Sequence, residues 1–340
     1  MNESAAGERR ANISFTGTTS EYFKIWIINL ALTIVTLGMY SAWAKVRKLR
    51  YFYGNTHLED GTFEYHASPV SILIGRVIAF VTMMTYYFTI QYAPMASAVI
   101  FLAVFLLMPV LLVRSRVFQM RNTSYHGLRF NFQRDYGRSF ATIYGSALIT
   151  VLSLGLASPS AIYMRNKFVA NSTGFGKTLF KFGGGQGEFY AIFWKSAGLA
   201  MLGLMIFGGF IAVFTGAASS DPWWIPVLVF AFSAAISIYF RVRQRNYVWN
   251  TTTLGSNRFV SFLSVTDMVV IYLTNIFAII LTLGLAIPWA QIRLAKYRAE
   301  HLQVLLVDDW RDYIASKDSQ GNALGEEVGE AFDAEIDIGF

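Results

Sequence analysis

The chain has 340 residues, of which 54% are hydrophobic, 16% aromatic and only 14% charged, where an ordinary globular domain has roughly a quarter charged. That balance excludes a disordered chain and disfavours a soluble enzyme, and the absence of cysteine excludes disulfides, thiolate catalysis and Cys-ligated metal centres. The net charge of +7 divides into an acidic tail, residues 308–340, with ten acidic and two basic residues, and a body with 26 basic and 11 acidic ones.

Residues 1–14 are polar, of mixed charge and without a signal-peptide pattern. Residues 15–307 then read as a single transmembrane domain. A helix needs about 20 apolar residues to cross ~30 Å of hydrocarbon, and seven segments approach or meet this: 25–44, 70–92, 95–113, 140–163, 189–218, 223–240 and 269–292. Three of them share a Leu-Gly break before a basic stretch, at Leu37-Gly38, Leu154-Gly155 and Leu283-Gly284. These define A units over 15–66, 134–183 and 258–307. Between them stand two apolar pairs, B hairpins over 67–133 and 184–257, so the chain reads A-B-A-B-A. An Asn/Gly turn followed by alternating aromatic and polar residues recurs at Asn55…Tyr65, Asn122…Phe132, Asn171…Phe182 and Asn250…Phe262. Each copy predicts a short β-hairpin at the membrane face.

Basic residues flank every A unit, among them Arg9 and Arg10, Lys45 to Arg50, Arg129 to Arg138, Arg165, Arg241 to Arg245 and Arg293 to Arg298. Because Lys and Arg are retained on the cytoplasmic side, this pattern reads as membrane flank and not as a nucleic-acid surface. If each A unit crossed once, Arg241, Arg243 and Arg245 would be exported. If each dips in and returns, every basic cluster stays inside. The fold class expected is therefore an all-α polytopic membrane protein, with four full spans, three broken or re-entrant helical hairpins and both termini cytoplasmic. Seven simple spans is the alternative.

The run Phe15-Thr-Gly…Glu21-Tyr-Phe-Lys-Ile-Trp26, the run Thr36-Leu-Gly-Met-Tyr-Ser-Ala-Trp-Ala-Lys-Val-Arg47 and the ending Asp337-Ile-Gly-Phe340 resemble the YjgN-like family of bacterial inner-membrane proteins. The resemblance implies a polytopic inner-membrane location and supplies neither a substrate nor catalytic residues.

Ionisable groups inside apolar segments need a physical reason, since each costs at least ~2.5 kcal/mol at mid-membrane. Arg76 and Lys195 take similar places in the two B hairpins, and as a pair facing a shared interior they would hold an anionic headgroup, carboxylate or phosphate. Snorkelling to the interface, or a purely structural pair, is the simpler explanation of both. Glu21 and Glu188 open helical segments, where a carboxylate complements the helix dipole, and either could pair with Lys24, Arg76 or Lys195. The loop Gly183 to Gly187 lacks the Lys-Ser/Thr of a P-loop, and the histidines, His57, His66, His126 and His301, show no metal-ligand spacing. No catalytic residue, metal or cofactor is expected. Function reads as a small transporter or channel for an anionic solute or lipid, with a non-enzymatic scaffold or lipid-binding module at the cytoplasmic leaflet as the alternative. The partners expected are anionic headgroups and, through the 308–340 tail, a cytoplasmic protein.

Overall fold

Alternation sets the first element. In β1 (Arg9–Phe15) the side chains of Ala11, Ile13 and Phe15 turn away from solvent while Arg10, Asn12 and Ser14 do not, the period of a half-buried strand. The structure, a computed structural model, describes residues 9–215 and 224–307. Over these residues the order strand, helix, helix, strand occurs five times. The first unit is β1, α1 (Thr19–Val35), α2 (Ser41–Gly54) and β2 (Thr56–Leu58). The second is β3 (Gly61–Tyr65), α3 (Pro69–Tyr92), α4 (Pro94–Arg121) and β4 (Thr123–Tyr125). The third is β5 (Leu128–Phe132), α5 (Tyr136–Leu152), α6 (Ser158–Ser172) and β6 (Thr173–Phe175). The fourth is β7 (Thr178–Phe182), α7 (Gln186–Thr215), α8 (Trp224–Asn250) and β8 (Thr252–Leu254). The fifth is β9 (Asn257–Ser261), α9 (Val265–Leu281), α10 (Ile287–Glu300) and β10 (Leu302–Leu306).

All ten strands pair antiparallel with their sequence neighbours, and β10 returns to β1 to close a barrel. This overturns the all-α expectation. The four β-hairpins at 55–262 are staves of one continuous sheet, and the two strands that close it are β1, in the stretch expected to be a polar N-terminus, and β10, inside the last A unit, 258–307. Closure leaves no unpaired edge, which is why staves of three to seven residues suffice. One apolar cluster draws on every strand. Ala11, Leu58, Tyr125, Phe175, Leu254, Val304 and Leu306 are buried, with Ile13, Phe63, Leu128, Phe130, Phe180 and Phe259 packed against them. A cluster common to all ten strands fills the lumen, as side chains do in small barrels.

The two rims of the barrel differ. At one, two-residue turns join consecutive units, and positive φ at Glu59, His126, Gly176 and Gly255 suits the twist of tight hairpins. At the other, the two helices of each unit leave together. There the residue after the first strand of each unit donates its N–H to the carbonyl just before the second: Thr16 to Asn55, His66 to Asn122, Gln133 to Ser172, Gly183 to Thr251 and Phe262 to His301, at 2.8–3.1 Å. Both feet of every helical hairpin are thus pinned to the same rim. The helices pack in chain order around a ring that α10 closes onto α1, where the Tyr22 hydroxyl donates to Gln291 Oε1 at 3.0 Å.

Two hairpins are long and three are short. α3, α4, α7 and α8 each contain a stretch of 24 to 28 residues apolar enough to cross a membrane. In the short hairpins the first helix has 17 residues, about 25 Å at 1.5 Å per residue. Their turns are built alike. Leu37, Leu154 and Leu283 have φ of 49°, 52° and 50°, and the glycines that follow have φ of 92°, 88° and 96°. Gly38, Gly155 and Gly284 donate five residues back, to Thr33, Thr150 and Ile279, at 2.7–2.8 Å. The hydroxyls of Thr36, Ser153 and Thr282 accept from the N–H four residues on, each at 2.9 Å. Such a turn satisfies its own backbone, which hydrocarbon requires, and it leaves Leu37, Leu154 and Leu283 93–95% exposed at the tips.

A candidate functional site between the first and last hairpins

The N-terminal end of the first helix in a unit is set by the loop that follows the unit's first strand. Three residues after it stands a capping side chain: the Oγ of Thr18, Ser68 and Ser264 and the Oδ1 of Asp135 accept from the first turn. Tyrosines on the returning helices hold three of these loops. Tyr51, Tyr247 and Tyr297 each accept through the phenolic oxygen from the loop N–H of Thr18, Gly185 and Ser264, at 2.8, 2.6 and 3.0 Å. Two of the phenols also donate to a first-turn carboxylate, Tyr51 to Glu21 Oε2 at 3.0 Å and Tyr297 to Asp267 Oδ2 at 3.2 Å. Burial first, then the neighbouring acid, pushes both phenols above their usual range, although the loop N–H bonds oppose this. They remain neutral donors at physiological pH.

Where the ring closes, α9, α10 and the start of α1 enclose a groove of about 610 Å³. Val270, Ile271, Trp289 and Ile292 give it an apolar wall, and Thr19, Asp267, Arg293, Lys296, Tyr297 and Glu300 supply its polar part. Arg293 is oriented by three contacts. Its Nη1 donates to Thr274 Oγ1 at 2.6 Å and to Asn275 Oδ1 at 3.3 Å, and the guanidinium lies 5.2 Å from the centre of the Trp289 ring. Lys296, one helical turn on, has no hydrogen-bond or ion-pair partner among the described residues. The groove therefore combines a fixed planar cation, a free ammonium and an apolar wall, with two carboxylates, Asp267 held by Tyr297 and Glu300 at the end of α10. This is the chemistry of an amphiphile site, with a phosphate or carboxylate at one end and hydrocarbon at the other.

The residues singled out in the sequence fall in three different hairpins. Glu21 accepts from Tyr51, as above, and Lys24, one turn later on α1, is exposed. Arg76, on α3, donates through Nη1 to Ser41 Oγ at the start of α2. Glu188 and Lys195 are exposed on α7, and Lys195 has no partner among the described residues. The structure joins Glu21 to Tyr51 and Arg76 to Ser41. It places Arg76 and Lys195 two units apart on the ring, α3 packing on α2 and α4, and α7 on α6 and α8. The acidic tail, 308–340, and the tip of the second long hairpin lie outside the described residues.

Sequence reasoning missed the groove. Arg293 and Lys296 stood among the basic flank residues, and the recurrent polar position nine residues before each Leu-Gly glycine was the readable signal. Asn29, Ser146 and Asn275 occupy it, all buried, and they accept from Arg47, Arg165 and Arg293 at 3.3–3.5 Å.

Comparison with known proteins places this arrangement. Residues 10–331 match the family described as bacterial protein of unknown function (DUF898). The chain is 26% identical over 345 residues to "Inner membrane protein YjgN" of Salmonella typhimurium, covering 85% of this chain and 87% of that one. It is 29% identical over 123 residues to the protein of the same name in Escherichia coli O157:H7, covering 35% of this chain and 30% of that one. No solved structure matches.

Proposed function

We propose a function from the premise that the chain belongs to the DUF898 family of bacterial proteins and is an inner-membrane protein. It is a non-enzymatic phospholipid-binding module of the cytoplasmic leaflet. The barrel lies at the cytoplasmic surface and the helical hairpins stand in the bilayer. A phospholipid occupies the groove between α10 and α1, its phosphate at Arg293 and Lys296 and an acyl chain along Trp289 and Val270.

The observation that carries this reading is the filled lumen. A solute moving along the barrel axis would have to displace Tyr125 and Phe175, each 1% exposed and part of a core common to all the strands. That weighs against the channel reading and leaves the outer faces of the hairpins as the working surface. The basic residues near the helical rim suit the same surface, since each Lys or Arg close to anionic headgroups contributes about 1 kcal/mol.

The test is lipid retention. Protein purified in mild detergent should carry phospholipid, and the double variant Arg293→Gln, Lys296→Gln should carry about tenfold less or none. Equal retention by the variant would refute the groove. Uptake of an anionic solute by proteoliposomes of the native protein, above protein-free vesicles, would refute the module reading in favour of transport.

A further inference from the structure

A second basic cluster lies on the opposite face of α10 from the groove. Arg298, two residues from the end of α10, donates through Nη2 to the Tyr272 hydroxyl of α9 at 3.0 Å. Its Nε is buried and has no hydrogen-bond partner. Arg245, near the end of α8, stands one helical turn after Val242 and so on the face of α8 that packs with Tyr272 and Leu294. It has no hydrogen bond or ion pair of its own among the described residues, and neither guanidinium has a carboxylate partner there. Around them Val242, Leu263 and Met268 are buried, with Leu294 packed against them. Two like charges at one apolar junction repel each other, and a buried donor left unpaired adds its full desolvation cost. No described residue offsets either cost. An anion would offset both.

We propose that the Arg245 and Arg298 guanidiniums, with the Tyr272 hydroxyl, form a binding site for a phosphate-class oxyanion at the junction of α8, α9 and α10. The donor set favours a phosphate over a simple halide. Guanidinium forks match the spacing of phosphate oxygens, the Arg298 Nε and the whole of Arg245 have no partner among the described residues, and the phenol adds a neutral donor. The junction is also close to the helical rim, with Asn250 and Glu300 ending the two helices, and the two sources to be distinguished are a headgroup phosphate in the leaflet and free phosphate from the aqueous side. It shares no residue with the Arg293–Lys296 groove.

The experiment uses the full chain and the variants Arg245→Gln and Arg298→Gln. In the first arm, delipidated protein in detergent is titrated with inorganic phosphate, with chloride at matched ionic strength as the control, and the unfolding temperature is followed. Phosphate should raise it in the native protein, with the apparent Kd weakened about tenfold or more in each variant, the fold-change for losing one charged hydrogen bond. In the second arm, native mass spectrometry of undelipidated protein counts bound phospholipids. Loss of one in Arg245→Gln, with the groove lipid retained, identifies a headgroup as the source. Either result supports the site. Without phosphate Arg245→Gln, which breaks no hydrogen bond among the described residues, should be at least as stable as the native protein, because one of two repelling cations has gone, so misfolding does not confound its comparison. Native protein that responds equally to phosphate and chloride, and retains the same lipid count in both variants, overturns the proposal. The groove is tested separately by Arg293→Gln, Lys296→Gln.

Discussion

The three Leu-Gly tips offer a perturbation whose sign depends on the medium around them. Leu37, Leu154 and Leu283 hold a left-handed backbone with φ near 50° and are 93–95% exposed. The left-handed region costs an L-residue about 1–2 kcal/mol, less for Asp, whose short side chain is tolerated there. In water, Leu37→Asp should therefore be neutral or slightly stabilising, because exposed substitutions stay within about 0.5 kcal/mol. In hydrocarbon the same change exchanges a residue worth about −0.5 kcal/mol for one costing about +3 kcal/mol at full depth, a loss of ~3–4 kcal/mol that shrinks towards the interface. The tips sit on separate hairpins, so their effects should add. The triple variant would then lose up to ~10 kcal/mol, comparable to the whole stability of a typical domain at 5–15 kcal/mol. The assay is unfolding in lipid nanodiscs, together with membrane-inserted abundance in cells, for the single and triple Asp variants. Leu37→Met serves as the apolar control. Clear destabilisation by each single Asp, with Met near native, is expected. Single Asp variants as stable as the native protein would mean that the tips are in water, and the re-entrant reading of the short hairpins would fail.

Other predictions concern the barrel and its rim. Phe175→Ala removes a ring that packs against Phe130 at 4.9 Å in the lumen and should cost about 3–5 kcal/mol, read as a lower denaturant midpoint; a loss under 1 kcal/mol would mean that the lumen is not a close-packed core. Burial, and after it neighbouring phenols or acids, raises the pKa of Tyr22 to about 12 and also raises those of Tyr51, Tyr65 and Tyr297. The folded state therefore holds these protons more tightly than the unfolded chain, whose tyrosines titrate near ~10. The stability they contribute is full below about pH 10 and is lost as pH rises towards ~12, so the unfolding midpoint should fall across that window, and a flat profile would contradict the burial. Tyr247→Phe removes both hydrogen bonds to Gly185, at 2.6 and 3.1 Å, and should cost about 1–2 kcal/mol and speed amide exchange in the loop before α7.

Much of the fold is legible where a single residue type carries the requirement. A left-handed turn needs glycine or pays for its absence, so Gly38, Gly155 and Gly284 mark the helix breaks and Gly127 and Gly255 mark tight turns between strands. The two long apolar pairs are legible by length alone. Barrel closure is not. The Ala11, Ile13, Phe15 alternation is a strand signal, but a seven-residue stretch among polar neighbours is weak, and its partner Leu302–Leu306 lies at the far end of the chain. Pairing over that separation leaves no local periodicity to read. The groove is hidden for the same reason, because Thr19 meets Lys296 only after the ring has closed. Arg76 illustrates a related difficulty. Its place in an apolar run shows that it needs a partner, and only the packing of α3 on α2 identifies that partner as Ser41.

The shared rim is the feature on which every other inference depends, and the absence of native cysteine makes it directly measurable. Single cysteines at Lys177 and Ser256, in the two-residue turns, and at Ala93, between α3 and α4, would be probed with a membrane-impermeant maleimide in intact cells and in inverted vesicles. With both feet of every hairpin on one rim, Lys177Cys and Ser256Cys should be protected in cells and labelled in inverted vesicles, and Ala93Cys should show the reverse. Labelling of Lys177Cys and Ser256Cys from opposite sides of the membrane would contradict the closed barrel.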